Sequence, residues 1–284
     1  MFAWVCTVGA TNHGTGKIAI YNLVGKQLEL KAETETNSAV RCVAITGQTR
    51  NVATGDFDGQ LQIWDAQRFD IPLMSFKAHD SIINSIDGYN QPKEPQELVT
   101  ASRDGTVKVW DVRRPEKAVL TIKSNESKDI WAVAYGQLKG EKVIAVGFED
   151  GDIKLFHVTG SQYLWGTHVK DGICSIEFNN GKLMASTLSS AYLIDIATGK
   201  TSKIQSSTET TLWSVRHIPQ QPHYFSVAGG DGNITTYTQD LRAAHVLNLS
   251  KHPIISLDWN KDKKGLFACS SFDQSIKIGM VQNI

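Results

Sequence analysis

Three groups of residues have types and spacings that invite a chemical reading: the cysteines and histidines, a glycine-rich run near the N-terminus, and four Asp-Gly pairs. Cys6, Cys42, Cys174 and Cys269 are scattered without a CxxC pair, and the histidines show no metal-ligand spacing. Free cysteine behaves as a small hydrophobe, so the four are expected in strands, reduced, with no metal. The run Gly9–Lys17, GATNHGTGK, superficially offers a phosphate cradle. Thr15 and Gly16 intrude between Gly14 and Lys17, however, and the run leads into a strand-like Ile18–Tyr21, whereas a phosphate loop opens a helix. A Ser/His/Asp set can be picked from any chain this long, but no nucleophile sits in a recognisable strained elbow. The reading is no catalytic residue, no cofactor and no metal.

The Asp-Gly pairs, Asp58-Gly59, Asp104-Gly105, Asp150-Gly151 and Asp231-Gly232, have a structural explanation. Glycine permits positive φ and aspartate bonds neighbouring backbone amides, so each pair is a turn between two strands. The turns belong to a pattern repeated seven times: a β-rich strand ending in small residues, a polar turn, then an alternating strand closing on a bulky residue. The closing residues are Tyr21, Trp64, Trp110, Phe156, Ile194, Tyr237 and Gly279, spaced by 38–46 residues. That period matches four strands per propeller blade. Between repeats lie apolar, β-branched inner strands such as Ser81–Asp87, Asp129–Tyr135, Gly172–Phe178, Leu212–His217 and Pro253–Trp259. No stretch has a sustained helical period. Two repeats are degenerate: the fifth has Leu188-Ser189-Ser190 for the Asp-Gly turn, and the seventh has Asp273-Gln274 with Gly279 in the aromatic's place.

Composition fits a single domain over 1–284. Lysine plus arginine equals aspartate plus glutamate at 29 each, and 41% of residues are hydrophobic. The balance argues against a nucleic-acid or anionic-membrane binder, and the apolar fraction against disorder. With no visible signal peptide or membrane span, the sequons at Asn125, Asn233 and Asn248 read as chance matches and the chain as cytoplasmic.

RDGTVKVWD at Arg103–Asp111 and FDGQLQIWD at Phe57–Asp65 resemble WD repeats. The resemblance implies an all-β, seven-bladed WD-repeat propeller in which His79, Thr100 or Ser102, Asp104 and Trp110 form a buried network that holds a blade together and does no chemistry. Further segments (GDFDGQLQIWD, SIINSIDG, RDGTVKVWDVR, GDIKLFHV, GICSIEF, LWSVRHIPQ and SLDWNKDKKGLFACSSFDQSIKI) span nearly the whole chain. Together they resemble the Monad family of WD-repeat axonemal dynein assembly factors. That resemblance implies a cytoplasmic, monomeric adaptor whose partners are dynein heavy chains and a prefoldin-like co-chaperone complex with RuvB-like ATPases. It also implies an N-terminal segment that completes the terminal blades. Here the first recognisable strand starts at Phe2, so the first blade is expected to lack its inner strand and the last its outer one. A rival resemblance exists: Asp104–Arg113 is similar to the box by which some WD-repeat proteins dock to cullin–RING ligases, with Arg113 as the docking residue.

The expected binding surface follows from the repeat. Arg41, Asn84, Trp131, Cys174, Trp213 and Ile255 occupy one equivalent position near the start of the inner strands, and Phe57, Arg103, Phe148 and Phe272 are expected in turns beside them. Trp and Arg are enriched at interface hot spots.

Overall fold

The structure is a computed structural model that describes residues 3–46, 51–89, 96–124, 128–179, 181–205 and 210–282. Phe2 and the Asn125 sequon lie outside the described residues. The described strands form seven antiparallel meanders, and each follows chain order. The first sheet is β1 (Ala3–Ala10), β2 (Gly16–Val24) and β3 (Gln27–Thr36). The second is β4 (Val40–Thr46), β5 (Asn51–Asp56), β6 (Gln60–Trp64) and β7 (Met74–Lys77), and the third is β8 (Ile83–Tyr89), β9 (Glu97–Ser102), β10 (Thr106–Asp111) and β11 (Leu120–Lys123). The fourth is β12 (Ile130–Leu138), β13 (Glu141–Phe148), β14 (Asp152–His157) and β15 (Tyr163–His168). The fifth is β16 (Ile173–Asn179), β17 (Lys182–Thr187), β18 (Ser190–Asp195) and β19 (Thr201–Gln205), and the sixth is β20 (Leu212–Ile218), β21 (Gln221–Gly229), β22 (Asn233–Thr238) and β23 (Ala243–Asn248). The seventh is β24 (Ile254–Trp259), β25 (Leu266–Ser271) and β26 (Ile276–Met280). Five sheets thus have four strands, and the first and last have three. The one helical element among the described residues is a single 3-10 turn, Thr159–Ser161, with nothing buried.

The chain divides into two compact units, Met1–Gly136 with Gly140–Phe148 and Leu155–Leu164, and Gln137–Lys139 with Glu149–Lys154 and Trp165–Ile284. In the first unit, Ile18 and Ile20 of β2 pack with Val40, Val52 and Trp64 of the second sheet. Ala53, Leu61 and Ile63 meet Ile83, Leu98 and Trp110 of the third. Val99, Val107 and Val109 in turn meet Ile130, Val133 and Ile144. In the second unit, Met184, Ala191 and Leu193 pack with Leu212, Val215 and Phe225, and Ile218, Ala228 and Ile234 with Ile254, Leu257 and Phe267. Each core therefore joins one sheet to the next, as stacked supersecondary units require.

Gly9–Lys17 is the end of a hairpin, with Gly9 opposite Lys17 and Ala10 opposite Gly16. The turn glycines have a second task besides positive φ. The Gly59 carbonyl accepts from the Ala78 and His79 amides, Gly105 from Ser124, Gly151 from Val169, and Gly232 from Leu249 and Ser250. Each carbonyl thus anchors the chain as it leaves the sheet's outer strand. A Cβ on Gly232 would lie 2.0 Å from the Ser250 oxygen. The degenerate fifth turn manages without glycine: Thr187 Oγ1 accepts from the Ser190 amide at 3.0 Å and the Ser189 amide at 3.3 Å. In the seventh, Gln274 itself adopts φ 63°. Gly279 is explained by Phe267, whose ring fills the space an aromatic would take; a Cβ on Gly279 would meet its Cζ at 2.3 Å.

Candidate protein-interaction surface

The third sheet contains the expected polar network. Trp110 Nε1 donates to Thr100 Oγ1 at 2.9 Å, and Thr100 Oγ1 lies 2.7 Å from His79 Nε2. His79 Nδ1 is 3.0 Å from Asp104 Oδ2. A carboxylate only accepts, so Nδ1 carries the proton and Nε2 accepts from the threonine hydroxyl. Asp104 also accepts from the Asp80 amide at 3.0 Å, the Thr106 amide at 2.9 Å and the Thr106 hydroxyl at 2.6 Å. Burial opposes the charge, yet the bonds from His79 and Thr106 hold this carboxyl well below the usual carboxylate range. Thr100 is thus the link between histidine and tryptophan. Ser102 serves the turn instead, accepting from the Asp104 amide at 3.0 Å and donating to the Ser81 carbonyl at 3.3 Å. The His79 side chain is fully buried. Its partners leave no valence for a substrate, so the constellation holds the blade.

A second feature recurs in the inner strands. The pairing of the inner strand with its neighbour shifts register between Val40 and Cys42, Ile83 and Ser85, Ile173 and Ser175, Leu212 and Ser214, and Ile254 and Ser256. The skipped residues are Arg41, Asn84, Cys174, Trp213 and Ile255. A β-bulge leaves one residue out of the ladder and re-aims its side chain, so the repeat position read from sequence is a position of irregular backbone. Nothing in the alternation of apolar residues signals the extra residue.

In the first unit, Arg41 is exposed and Phe57 is 44% exposed. The Phe57 amide donates to the Ala39 carbonyl at 3.0 Å, which sets the ring beside the start of β4. The Arg103 amide does the same to Ile82, and its Nε lies 3.2 Å from Asp129. Asn84 is a structural tie, its Nδ2 donating to the Ile130 carbonyl at 2.9 Å. Trp131 is half-buried beside a buried Ile130. Phe148 is not on the surface; it is 3% exposed within the core with Tyr89 and Val146. It ends strand β13, at the place of Ser102 and Asp56. The residue equivalent to Phe57 and Arg103 is Glu149, which is exposed. A slip of one residue in a strand reverses the face.

In the second unit, Trp213 and Phe272 meet edge to face, with ring centroids 6.2 Å apart at 61°. Phe272 is 57% exposed, and its amide donates to the Pro253 carbonyl at 2.9 Å. Ile255 and Cys174 are half-buried nearby in sequence register. Cys42 in the first unit is held against the Ile83 carbonyl at 3.3 Å, and burial pushes its thiol up to about 12, so it is no nucleophile. Arg113 is exposed, and Asp111 takes its Nε at 2.9 Å and its Nη2 at 2.7 Å. Among the described residues no group of side chains is arranged to hold a metal ion, and no helix is long and apolar enough to cross a membrane.

Seven antiparallel sheets, Asp-Gly turns and the Trp–Thr–His–Asp network define a seven-bladed WD-repeat propeller. The WD domain, G-beta repeat family matches residues 28–65, 71–111 and 243–278. Over 323 aligned residues the chain is 35% identical to dynein axonemal assembly factor 10 of Danio rerio, covering 99% of this chain and 90% of the relative. The Homo sapiens protein of that name is 34% identical over 98% of the chain, and the Chlamydomonas reinhardtii protein 31% over 98%, each with 90% of the relative covered. The chain belongs to the dynein axonemal assembly factor 10 family.

Proposed function

We propose that this chain is a non-catalytic, monomeric scaffold that works in the cytoplasm as an adaptor or co-chaperone in the assembly of axonemal dynein heavy chains. The names of its relatives support the dynein assignment. The mutual engagement of His79, Thr100, Asp104 and Trp110 supports the scaffold reading, because these polar side chains are occupied in holding the blade. Its partners in this reading are dynein heavy chains and a prefoldin-like co-chaperone complex with RuvB-like ATPases.

The observation that carries the binding site is the recurring bulge. It takes Arg41, Trp213 and Ile255 out of the ladder, and Trp213 meets the exposed Phe272 edge to face. Large aromatics held by irregular backbone and left partly in water are the residues that make interface hot spots. On the first unit, taken by itself, Trp131, Phe57 and Arg103 are the further candidates. Truncating a central interface aromatic costs about 2 kcal/mol or more of binding. Trp131→Ala with Trp213→Ala should therefore weaken recovery of the ATPase complex or the dynein chain in a pull-down, with the melting temperature nearly unchanged. Full recovery of both partners by the folded double mutant removes these tryptophans from the binding surface. The ligase-docking alternative rests on Arg113, whose guanidinium is already engaged by Asp111. Co-purification of the ligase adaptor, lost in Arg113→Ala, would favour that alternative instead.

A further inference from the structure

In the second to seventh sheets the residue just after the second strand is Phe57, Arg103, Glu149, Leu188, Gly230 and Phe272 in turn. Only the sixth sheet has glycine there. The backbone does not ask for it: Gly230 lies outside the left-handed region, unlike Gly232 at φ 79°. A Cβ on Gly230 would have the Thr211 carbonyl oxygen at 3.3 Å and the Thr210 Cβ at 3.4 Å as its nearest neighbours, so a side chain fits after a small shift. What the glycine supplies is space. The preceding sheet enlarges it. The bulged residue of one sheet lies toward the turn residue of the next, as Trp213 of β20 does toward Phe272. One sheet earlier the same two places hold Cys174 and Gly230. Two rings are thus replaced by a thiol and a hydrogen, and the thiol turns back on the Gly172 carbonyl at 3.9 Å. A notch opens at Gly230. The Gly230 amide donates to the Thr211 carbonyl at 2.8 Å, which seats the notch beside the start of β20 and its Trp213. Leu188, 41% exposed, stands at the matching place in the fifth sheet. All of these residues belong to the second unit.

The charges at this end of the fifth to seventh sheets are one-sided. Their carboxylates are engaged: Asp171 accepts from the Ser189 hydroxyl, Asp231 from Asn233 Nδ2 at 2.8 Å, and Asp273 binds Lys277 at 2.9 Å. Lys170 and Lys251, in the loops that lead to the inner strands β16 and β24, are exposed and have no partner among the described residues. An apolar notch flanked by free ammonium groups suits one kind of occupant, since charge complementarity selects a partner while a buried anchor holds it. We propose that the notch at Gly230 seats a bulky apolar side chain of a partner protein, carried on a segment whose flanking residues are acidic. The apolar side chain packs against Trp213, and the flanking carboxylates meet Lys170 and Lys251. This rests on the reading of the aromatic surface as a binding face and names the chemistry of what binds there.

The probe is a fluorescein-labelled peptide, Asp-Glu-Phe-Asp-Glu. One control carries alanine in place of the phenylalanine, and a second carries lysines in place of the acids. The expected result is saturable binding of the first by fluorescence anisotropy. The alanine control should bind more weakly by about ten-fold or more, since the ring no longer leaves water. Gly230→Leu fills the notch and should weaken the phenylalanine peptide by a similar factor, with the melting temperature near that of wild type. Gly230→Ala, a smaller plug, should weaken it less and serves if the leucine variant does not fold. Lys170→Glu combined with Lys251→Glu should reverse the charge preference, so that the lysine-flanked peptide binds better than the acidic one. Absence of saturable binding, equal binding of the alanine control, or undiminished binding by folded Gly230→Leu overturns the proposal. An acidic preference that survives the charge reversal overturns the acidic partner. Concentration-dependent dimers that Gly230→Leu abolishes would give the notch to a second copy and overturn the partner assignment. Gly230→Leu keeps both Trp131 and Trp213. If it retains the ATPase complex and the dynein chain in a pull-down while the double tryptophan mutant loses them, the notch fails and the aromatic surface stands.

Discussion

Replacing Asp104 by alanine removes the acceptor for four hydrogen bonds at once, and the structure assigns each a different weight. The Asp80 amide lies at the surface and finds water, so it contributes little. The Thr106 amide and hydroxyl are partly buried, and the net value of such bonds is about 1 kcal/mol. His79 is fully buried but keeps Thr106 Oγ1 at 3.0 Å as a second acceptor, so its share lies at the low end of the about 1–3 kcal/mol that an orphaned buried donor costs. With about 1 kcal/mol for each Thr106 bond the total is about 2–4 kcal/mol. At roughly 2–4 °C per kcal/mol for a chain of this size, the melting temperature should fall by about 4–16 °C. Arg103→Ala, next door, removes one exposed ion pair with Asp129, worth about 0–1 kcal/mol, and should barely move it. Thr100→Val should also destabilise, and combined with Asp104→Ala should cost less than the sum, because both act on His79. Thermal melts followed by circular dichroism measure the four variants and the wild type. Equal melting temperatures for wild type and Asp104→Ala would refute the network as a source of stability, and strict additivity with Thr100→Val would refute the link through the histidine.

The same aspartate makes stability depend on pH. Its carboxyl is held below the unfolded value of about 3.9, so its contribution is complete above that value and is lost as pH falls toward the folded one. The gap in urea midpoint between wild type and Asp104→Asn should be constant from pH 7 to 5 and narrow below about pH 4; a constant gap down to pH 2.5 contradicts the assignment. Gly232→Ala forces a side chain into φ 79° and against the Ser250 oxygen, and should destabilise by about 2 kcal/mol or more. Gln274→Gly, at the matching position with φ 63°, relieves strain and should be neutral or stabilising by up to about 1 kcal/mol; destabilisation by both in denaturant titrations would show that the two turns differ. Gly279→Ala moves toward better strand propensity yet collides with Phe267, so it should destabilise, and Phe267→Leu should soften that effect in a double-mutant cycle.

The repeat was legible because its punctuation is chemical. Asp-Gly at four turns, a bulky residue closing the third strand, and apolar inner strands each follow from backbone geometry. What escaped was anything that depends on one residue of register. Phe148 and Glu149 differ by a single step, and aromatic type was a poor guide to which of them leaves the strand. The bulges at Arg41, Asn84, Cys174, Trp213 and Ile255 were invisible for the same reason: an inserted residue between a buried apolar residue and a following serine or cysteine leaves no mark in the hydrophobic pattern. The fifth turn holds through the Thr187 hydroxyl, which replaces a motif with a hydrogen bond that no motif describes.

The family's sequence unit and the structural unit do not share boundaries. The matched stretches 28–65, 71–111 and 243–278 each open on the outer strand of one sheet and close on the third strand of the next. Successive units are therefore lapped like roof shingles, with each seam fastened under its neighbour. A copy made by duplication arrives with a strand that belongs to its predecessor, so it cannot be an autonomous module. Conversely, a nick in the loop after Asp65 does not release a blade. It leaves β7 covalently on the downstream fragment while hydrogen-bonded to β6 on the upstream one, and the two pieces stay clasped by an intact ladder.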